Sequence, residues 1–219
     1  NDSAYETAIS LFNKGIKINA IIDIREKVNS EITNHAEKIG LKIYNSYTIV
    51  DTSGYRRIKA VSIMKLSKDG QSVTGSKIKI KCDCLGISGG WTPNVNLWSH
   101  CGGKLLWDSE CGFYKHNPEN TPIGREGETN MLALGACAGV FSNYDIQDQV
   151  PRKVNQLASR LKIKSKRYIE TNVFSKEPEK KTKPIIALPY GASKDKQKKM
   201  YIDFQNDVKI SDLQLAVQE

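Results

Sequence analysis

The chain has 219 residues, with 33 Lys and Arg against 24 Asp and Glu and a formal net charge of +9. That length holds one large or two small domains. It contains no signal-peptide pattern and no apolar run of membrane-spanning length, so a cytoplasmic protein without a membrane partner is expected.

The five cysteines, Cys82, Cys84, Cys101, Cys111 and Cys137, are odd in number and form no Cys-x-x-Cys pair. This points to reduced thiols and away from a disulfide reductase. The spacing of Cys82, Cys84, Cys101 and Cys111 does not suit a zinc knuckle, and no metal site is expected. The charge is uneven. Residues 162–199 carry 12 Lys and Arg and 4 Asp and Glu, and read as a basic linker or docking arm. Tyr168, Phe174 and Tyr190 are too scattered for base-stacking platforms, so nucleic acid is not an expected partner.

The first residue is Asn1 rather than methionine, and the chain opens directly into a helical pattern. It is expected to be a piece of a longer polypeptide, lacking the first strand of its βα unit. Residues 3–14 read as a helix with Ala4, Ala8, Leu11 and Phe12 on one face and Gly15 as its stop; Asp2 or Ser3 caps the start. Ile18 to Ile24 reads as a buried strand. A second helix follows Ser30, with Ile32, Ala36 and Ile39 inward and Gly40 as its stop. Leu41 to Tyr44 begins the next strand.

This α-β-α-β order is a Rossmann half-unit. Asp23 lies about 20 residues beyond the helix start, where a dinucleotide site places the acid that bonds ribose hydroxyls. A surface aspartate at a strand end is the other reading. Arg25 either faces solvent or favours a 2′-phosphate.

From Tyr47 the pattern is β-rich. Tyr47–Val50, Ile58–Leu66 and Lys77–Lys81 read as strands, with turns at Asp51–Gly54 and Lys68–Gly70. The last strand alternates, Ile78, Ile80, Cys82 and Cys84 against Lys77, Lys79, Lys81 and Asp83. From Cys84 to Ile87 it is expected to run into an interior. It then opens into Ser88-Gly89-Gly90-Trp91, where the absence of Cβ atoms lets a phosphate or backbone approach. Alone, this is equally an ordinary strand and a Gly-Pro loop.

Lys104–Trp107 and Cys111–Lys115 read as a hairpin, and 116–129 as a polar loop. Residues 131–142 repeat the earlier scheme: an apolar strand, Gly135, small residues and a helix start. Two such units suggest two walls of one nucleotide cleft. Gln147–Leu161 reads as a helix with Pro151 in its first turn. Ile185–Leu188 and Tyr201–Phe204 read as short strands, and Ser211 as the cap of a last helix over Leu213–Val217. His35, His100 and His116 read as solvated rather than catalytic.

Four motifs carry a resemblance. Cys84-Leu-Gly-Ile-Ser-Gly-Gly-Trp-Thr-Pro-Asn-Val, Gly102-Gly-Lys-Leu-Leu-Trp-Asp, Leu134-Gly-Ala-Cys-Ala-Gly-Val-Phe and Tyr201-Ile-Asp-Phe-Gln-Asn-Asp-Val resemble the alpha subunit of heterotetrameric sarcosine oxidase. Asn1-Asp-Ser-Ala-Tyr resembles that family's substitute for the glycine fingerprint. Phe204-Gln-Asn-Asp207 is the most specific of these.

The resemblance implies an oxidoreductase acting on CH–NH donors with oxygen as acceptor. Its alpha chain has an FAD/NAD(P)-binding, two-dinucleotide-domain core that holds NAD, followed by a folate-binding domain. The assembled complex forms 5,10-methylenetetrahydrofolate, carries FAD and FMN, and unites alpha with beta, gamma and delta subunits. Sarcosine is oxidised on the beta subunit.

The implied layout is a second dinucleotide-binding subdomain over 1–75 with a small antiparallel excursion, and the C-terminal half of the first over 76–161. The basic arm follows over 162–199, and the next domain starts at 200–219. Gly135 is followed by Ala136 where many FAD enzymes place Asp, so NAD is preferred to FAD here. The expected cofactor contacts are Asp2, Ser3, Asp23, Ser88, Gly89, Gly90, Trp91, Gly135, Ala136 and Ala138, with no catalytic residue on this chain. The alternatives are an opine oxidase or proline dehydrogenase-like subunit, a free-standing NAD(P)H-dependent oxidoreductase, or a non-catalytic nucleotide-binding scaffold.

Overall fold

The structure, a computed structural model, describes residues 1–124, 127–128, 131–163, 185, 188–203 and 205–218. In chain order the elements are α1 (Ser3–Asn13), β1 (Ile21–Asp23), α2 (Glu31–Lys38), β2 (Ile43–Asn45), β3 (Tyr47–Gly54), β4 (Ile58–Leu66) and β5 (Val73–Lys81). Then come α3 (Asn96–His100), β6 (Leu105–Asp108), β7 (Phe113–His116), β8 (Ile123–Gly124), β9 (Gly127–Glu128), a 3₁₀ turn (Gly135–Ala138) and α4 (Asn143–Arg160). The last are α5 (Lys194–Lys198), β10 (Tyr201–Asp203), β11 (Val208–Lys209) and α6 (Ile210–Gln218). The fold is mixed α/β with sheets of two or three strands. Among the described residues no helix is long and apolar enough to cross a membrane. Two compact units divide the chain, Asn1–Gly89 with Ile185–Glu219, and Gly90–Pro184.

In the first unit both helix stops form as their glycines require. Gly15 and Gly40 take φ of +82° and +83°. Ile16 N–H then reaches Leu11 O and Leu41 N–H reaches Ala36 O, closing the orphan carbonyls of each last turn. Ser30 caps α2 in a box with Thr33, whose hydroxyl accepts from Ser30 N–H at 3.0 Å. Strands β1 and β2 pair in parallel, Ile21 beside Ile43 and Asp23 beside Asn45. Tyr5, Ala8, Ile21, Ala36 and Leu41 form their core.

Strands β3, β4 and β5 form an antiparallel meander. Val50, Leu66 and Val73 bury against Ala192, with Ile185 and Leu188 at the margin. Tyr190 bonds to the edge of that sheet through Val73 N–H (2.7 Å) and Gln71 O (2.8 Å). The expected turn at Asp51–Gly54 is corrected: β3 continues through Gly54, across bulges on either side of Thr52 and Ser53, and the chain turns at Tyr55–Arg57. The strand expected to continue from Lys81 to Ile87 stops at Lys81. Its last rungs use Ala60 and Lys59 near the start of β4, and beyond them Cys84 is exposed and Ile87 is 80% exposed.

In the second unit β6 and β7 form the expected hairpin, Leu105 beside His116 and Trp107 beside Tyr114. The expected strand at Met131 is absent: residues 131–134 are irregular, and no strand among the described residues pairs with them. Gly135 at φ +59° turns the chain into the 3₁₀ turn instead, and Gly139 at +80° ends it.

Helix α4 begins at Asn143 rather than Gln147, because Ser142 Oγ accepts from Asp145 N–H. Pro151 therefore sits inside the helix rather than in its first turn. Helix α6 begins one residue before Ser211, so Ser211 is not its cap; the Asp212 carboxylate accepts from Lys209 N–H at 2.7 Å. The expected strand at Ile185–Leu188 lies partly outside the described residues, as do most of 162–199 and Phe204 of the signature.

Candidate functional site

The start of α1 and the end of β1 meet at one corner of the first unit. Asp2 precedes α1 in a helical conformation and makes no side-chain cap. Instead Asn1 Oδ1 accepts from Ser3 Oγ at 2.6 Å and from Ser88 Oγ, and the two hydroxyls lie 2.8 Å apart. Ser3 and Ser88 are separated by 85 residues of chain, so this contact is tertiary.

Beside it, Arg25 bridges two carboxylates. Its Nη2 lies 2.8 Å from Asp2 and 2.8 Å from Asp23, and its side chain is only 9% exposed. The reading of Arg25 as a solvent-facing residue is therefore corrected. Asp23 is buried at 6% and accepts from Tyr5 Oη at 2.8 Å and from the backbone N–H and Nε of Arg25. Arg25 Nη1 is buried and has no hydrogen-bond partner among the described residues.

The charges follow from these contacts. Burial by itself raises the Asp23 carboxyl, but the hydrogen bonds from Arg25 and Tyr5 outweigh it and hold the group below the usual carboxylate range. The Tyr5 phenol is pushed up by burial and then by Asp23. Two carboxylates around one guanidinium leave this corner net negative, close to the positive end of α1.

Four of the expected contacts thus gather here: Asp2, Ser3, Asp23 and Ser88, with Gly89 exposed next to Ser88. Gly90, Trp91, Gly135, Ala136 and Ala138 belong to the other unit. There Gly90 takes φ +90°, Trp91 is exposed, and a Cβ on Gly135 would meet Ile146 at 3.5 Å. Sequence reasoning missed Tyr5 as a partner of Asp23. Its place on the same helix face as Ala8 was the available signal, since a buried tyrosine needs an acceptor.

Elsewhere, His116 lies on β7 rather than in a loop, half-buried with its ring 5.1 Å from Trp98. Burial, then Lys153 and Lys115, push its imidazole below the ordinary value. Among the described residues no three His, Cys, Asp or Glu side chains gather to hold a metal ion.

No family model matches the chain. The sarcosine oxidase subunit alpha of Rhizobium meliloti (strain 1021) is 26% identical over 220 residues, 100% of this chain and 20% of that subunit. The subunit alpha of Corynebacterium sp. (strain P-1) is 28% identical over 64% of this chain and 14% of its own. That of Corynebacterium sp. (strain U-96) is 22% identical over 97% and 21%. The chain spans about a fifth or less of the length of the curated relatives it matches. The chain is thus similar, over nearly all of its residues, to a segment of the alpha subunit of sarcosine oxidase.

Proposed function

We propose that this chain is part of the nucleotide-binding core of an alpha-type subunit in a sarcosine-oxidising complex, and that the corner at α1 holds NAD. One observation carries the reading: Ser3 and Ser88 hydroxyls converge on a single oxygen, Asn1 Oδ1, at the N-terminus of α1. That amide oxygen stands where a phosphate oxygen would be received by the same two donors and favoured by the helix dipole.

The parallel strands β1 and β2 end at this corner, the edge at which open α/β sheets bind ligands. Asp23 is proposed to accept a ribose hydroxyl in exchange for the Tyr5 bond. The net negative charge of Asp2, Asp23 and Arg25 opposes a 2′-phosphate, which favours NAD over NADP. Bound NAD supplies either a hydride acceptor or a structural nucleotide.

The wider proposal follows what the resemblance implies. FAD, FMN and tetrahydrofolate would sit on the rest of the assembly, with beta, gamma and delta subunits as partners and amine oxidation on the beta subunit. The subdomain layout over 1–75, 76–161, 162–199 and 200–219 is part of the same proposal.

The test is mass spectrometry of nucleotides released from the complete, co-expressed subunit. NAD should be released from the wild type. Ser3→Ala with Ser88→Ala, and separately Asp23→Ala, should lower its occupancy. A wild type that carries no adenine dinucleotide, or a double variant with unchanged occupancy, sinks the reading.

A further inference from the structure

Between Tyr47 and Lys81 the chain has eight Lys and Arg and only two acids, Asp51 and Asp69. Alternation along the edge strand β5 places Lys77, Lys79 and Lys81 on one face, all exposed. The ladder sets Lys79 beside Ser62 and Lys81 beside Ala60, and these in turn beside Asp51 and Ser53. The neighbours of Lys79 and Lys81 on that face are therefore small, while farther along it Met64 and Leu66 of β4 pack with Val73 and Ala192. Asp51 is the one acid in the three strands, and it is already engaged by Lys77 at 3.7 Å and by Lys196 of α5. On the opposite face Val61 and Ile63 are buried.

At the end of this face the β3–β4 hairpin closes through Tyr55, Arg56 and Arg57. Tyr55 is 95% exposed and both arginines are exposed. The tip wraps a shallow depression lined by Thr52, Ser53, Tyr55, Arg56 and Arg57. Its shape is built in. Gly54 takes φ +143°, and a Cβ there would lie 2.0 Å from Arg57 O, so only glycine closes the turn this way. Lys81, beside Ala60, lies two residues along the ladder from Ile58 at the foot of the tip.

We infer that the Tyr55-Arg56-Arg57 tip and the lysine face of β5 form a docking surface for an acidic segment of another polypeptide. The guanidinium forks of Arg56 and Arg57 match carboxylates in pairs, and the lysine row supplies long-range attraction. A tyrosine standing almost free at the centre of such a surface is the residue type that anchors protein interfaces once covered. A single aromatic gives no succession of stacking platforms, which disfavours single-stranded nucleic acid.

The experiment uses the complete subunit and two fluorescent probes in anisotropy titrations, a poly-glutamate peptide and a DNA duplex of equal charge. The peptide should bind, and its affinity should fall as salt rises. Replacing Arg56, Arg57, Lys79 and Lys81 together by Gln should weaken it at least about tenfold. Tyr55→Ala should weaken it severalfold with the salt dependence unchanged, and Arg56→Lys with Arg57→Lys should fall between wild type and the Gln variant. All these positions are exposed, and thermal unfolding of each variant should match the wild type. Absent peptide binding, equal binding by the Gln variant, or tighter binding of the duplex would each overturn the inference.

Discussion

Arg25 grips Asp23 with backbone and side chain at once: its amide and Nε donate to Oδ1 at 2.9 and 3.0 Å, and Nη2 to Oδ2 at 2.8 Å. Because both partners are nearly buried, removing one strands the other. Arg25→Met should cost about 3–5 kcal/mol of stability in chemical denaturation.

The pH dependence should also change sign. In the wild type the Asp23 carboxyl is held low, so its contribution is complete above about pH 3.9 and is lost as pH falls through the folded value. Without Arg25, burial dominates and raises that carboxyl, so the variant should gain relative stability as pH drops toward about 4. Parallel acid profiles for the two proteins would refute this assignment.

Gly191 takes φ +89° and lets Tyr190 reach the edge of β5; a Cβ there would stand 2.9 Å from Val73 O. Gly191→Ala should destabilise the meander by about 1–2 kcal/mol from backbone strain alone. The sensitive readout is hydrogen exchange at the Val73 amide, which donates to Tyr190 O at 2.7 Å. Unchanged protection there would mean that the segment around Tyr190 does not hold the sheet edge.

Trp98 is buried and donates its indole N–H to Lys104 O at 2.9 Å, over a glycine with no room to spare. A Cβ on Gly103 would fall 2.3 Å from Trp98 Nε1. Gly103→Ala should displace the ring at a cost of about 1–3 kcal/mol. Tryptophan emission should shift to the red, with Trp91 and Trp107, already more than half exposed, contributing an unchanged background. A spectrum identical to the wild type would count against the packing described.

His116 is half-buried beside Trp98, and its Nδ1 has no hydrogen-bond partner among the described residues. Burial first, then Lys153 and Lys115, depress its imidazole. Protonation therefore favours the unfolded chain. Stability of the second unit should be full above about pH 6.5, decline as pH falls below it, and level off beneath the folded value. His116→Phe keeps a ring against Trp98 and should flatten that decline; a slope equal to the wild type would assign the effect elsewhere.

Local chemistry was readable from the residues alone. Gly15 and Gly40 stop their helices, Ser30 caps α2, and Lys68-Asp-Gly70 turns the chain, because each involves bonds within a few residues. Alternation found β4, the Lys77–Lys81 half of β5 and the β6–β7 hairpin for the same reason. Tertiary structure decided the rest. The β5 strand ends at Lys81, opposite Ala60, although Cys84 to Ile87 is apolar enough to continue and β4 itself begins two residues earlier at Ile58. Tyr190 joins an edge more than 100 residues earlier in the sequence, and Ser3 meets Ser88 across 85. Arg25 is drawn inward by two carboxylates, only one of them a near neighbour in sequence. Pairing and burial depend on which groups the folded chain brings alongside, and no window of residues contains that information.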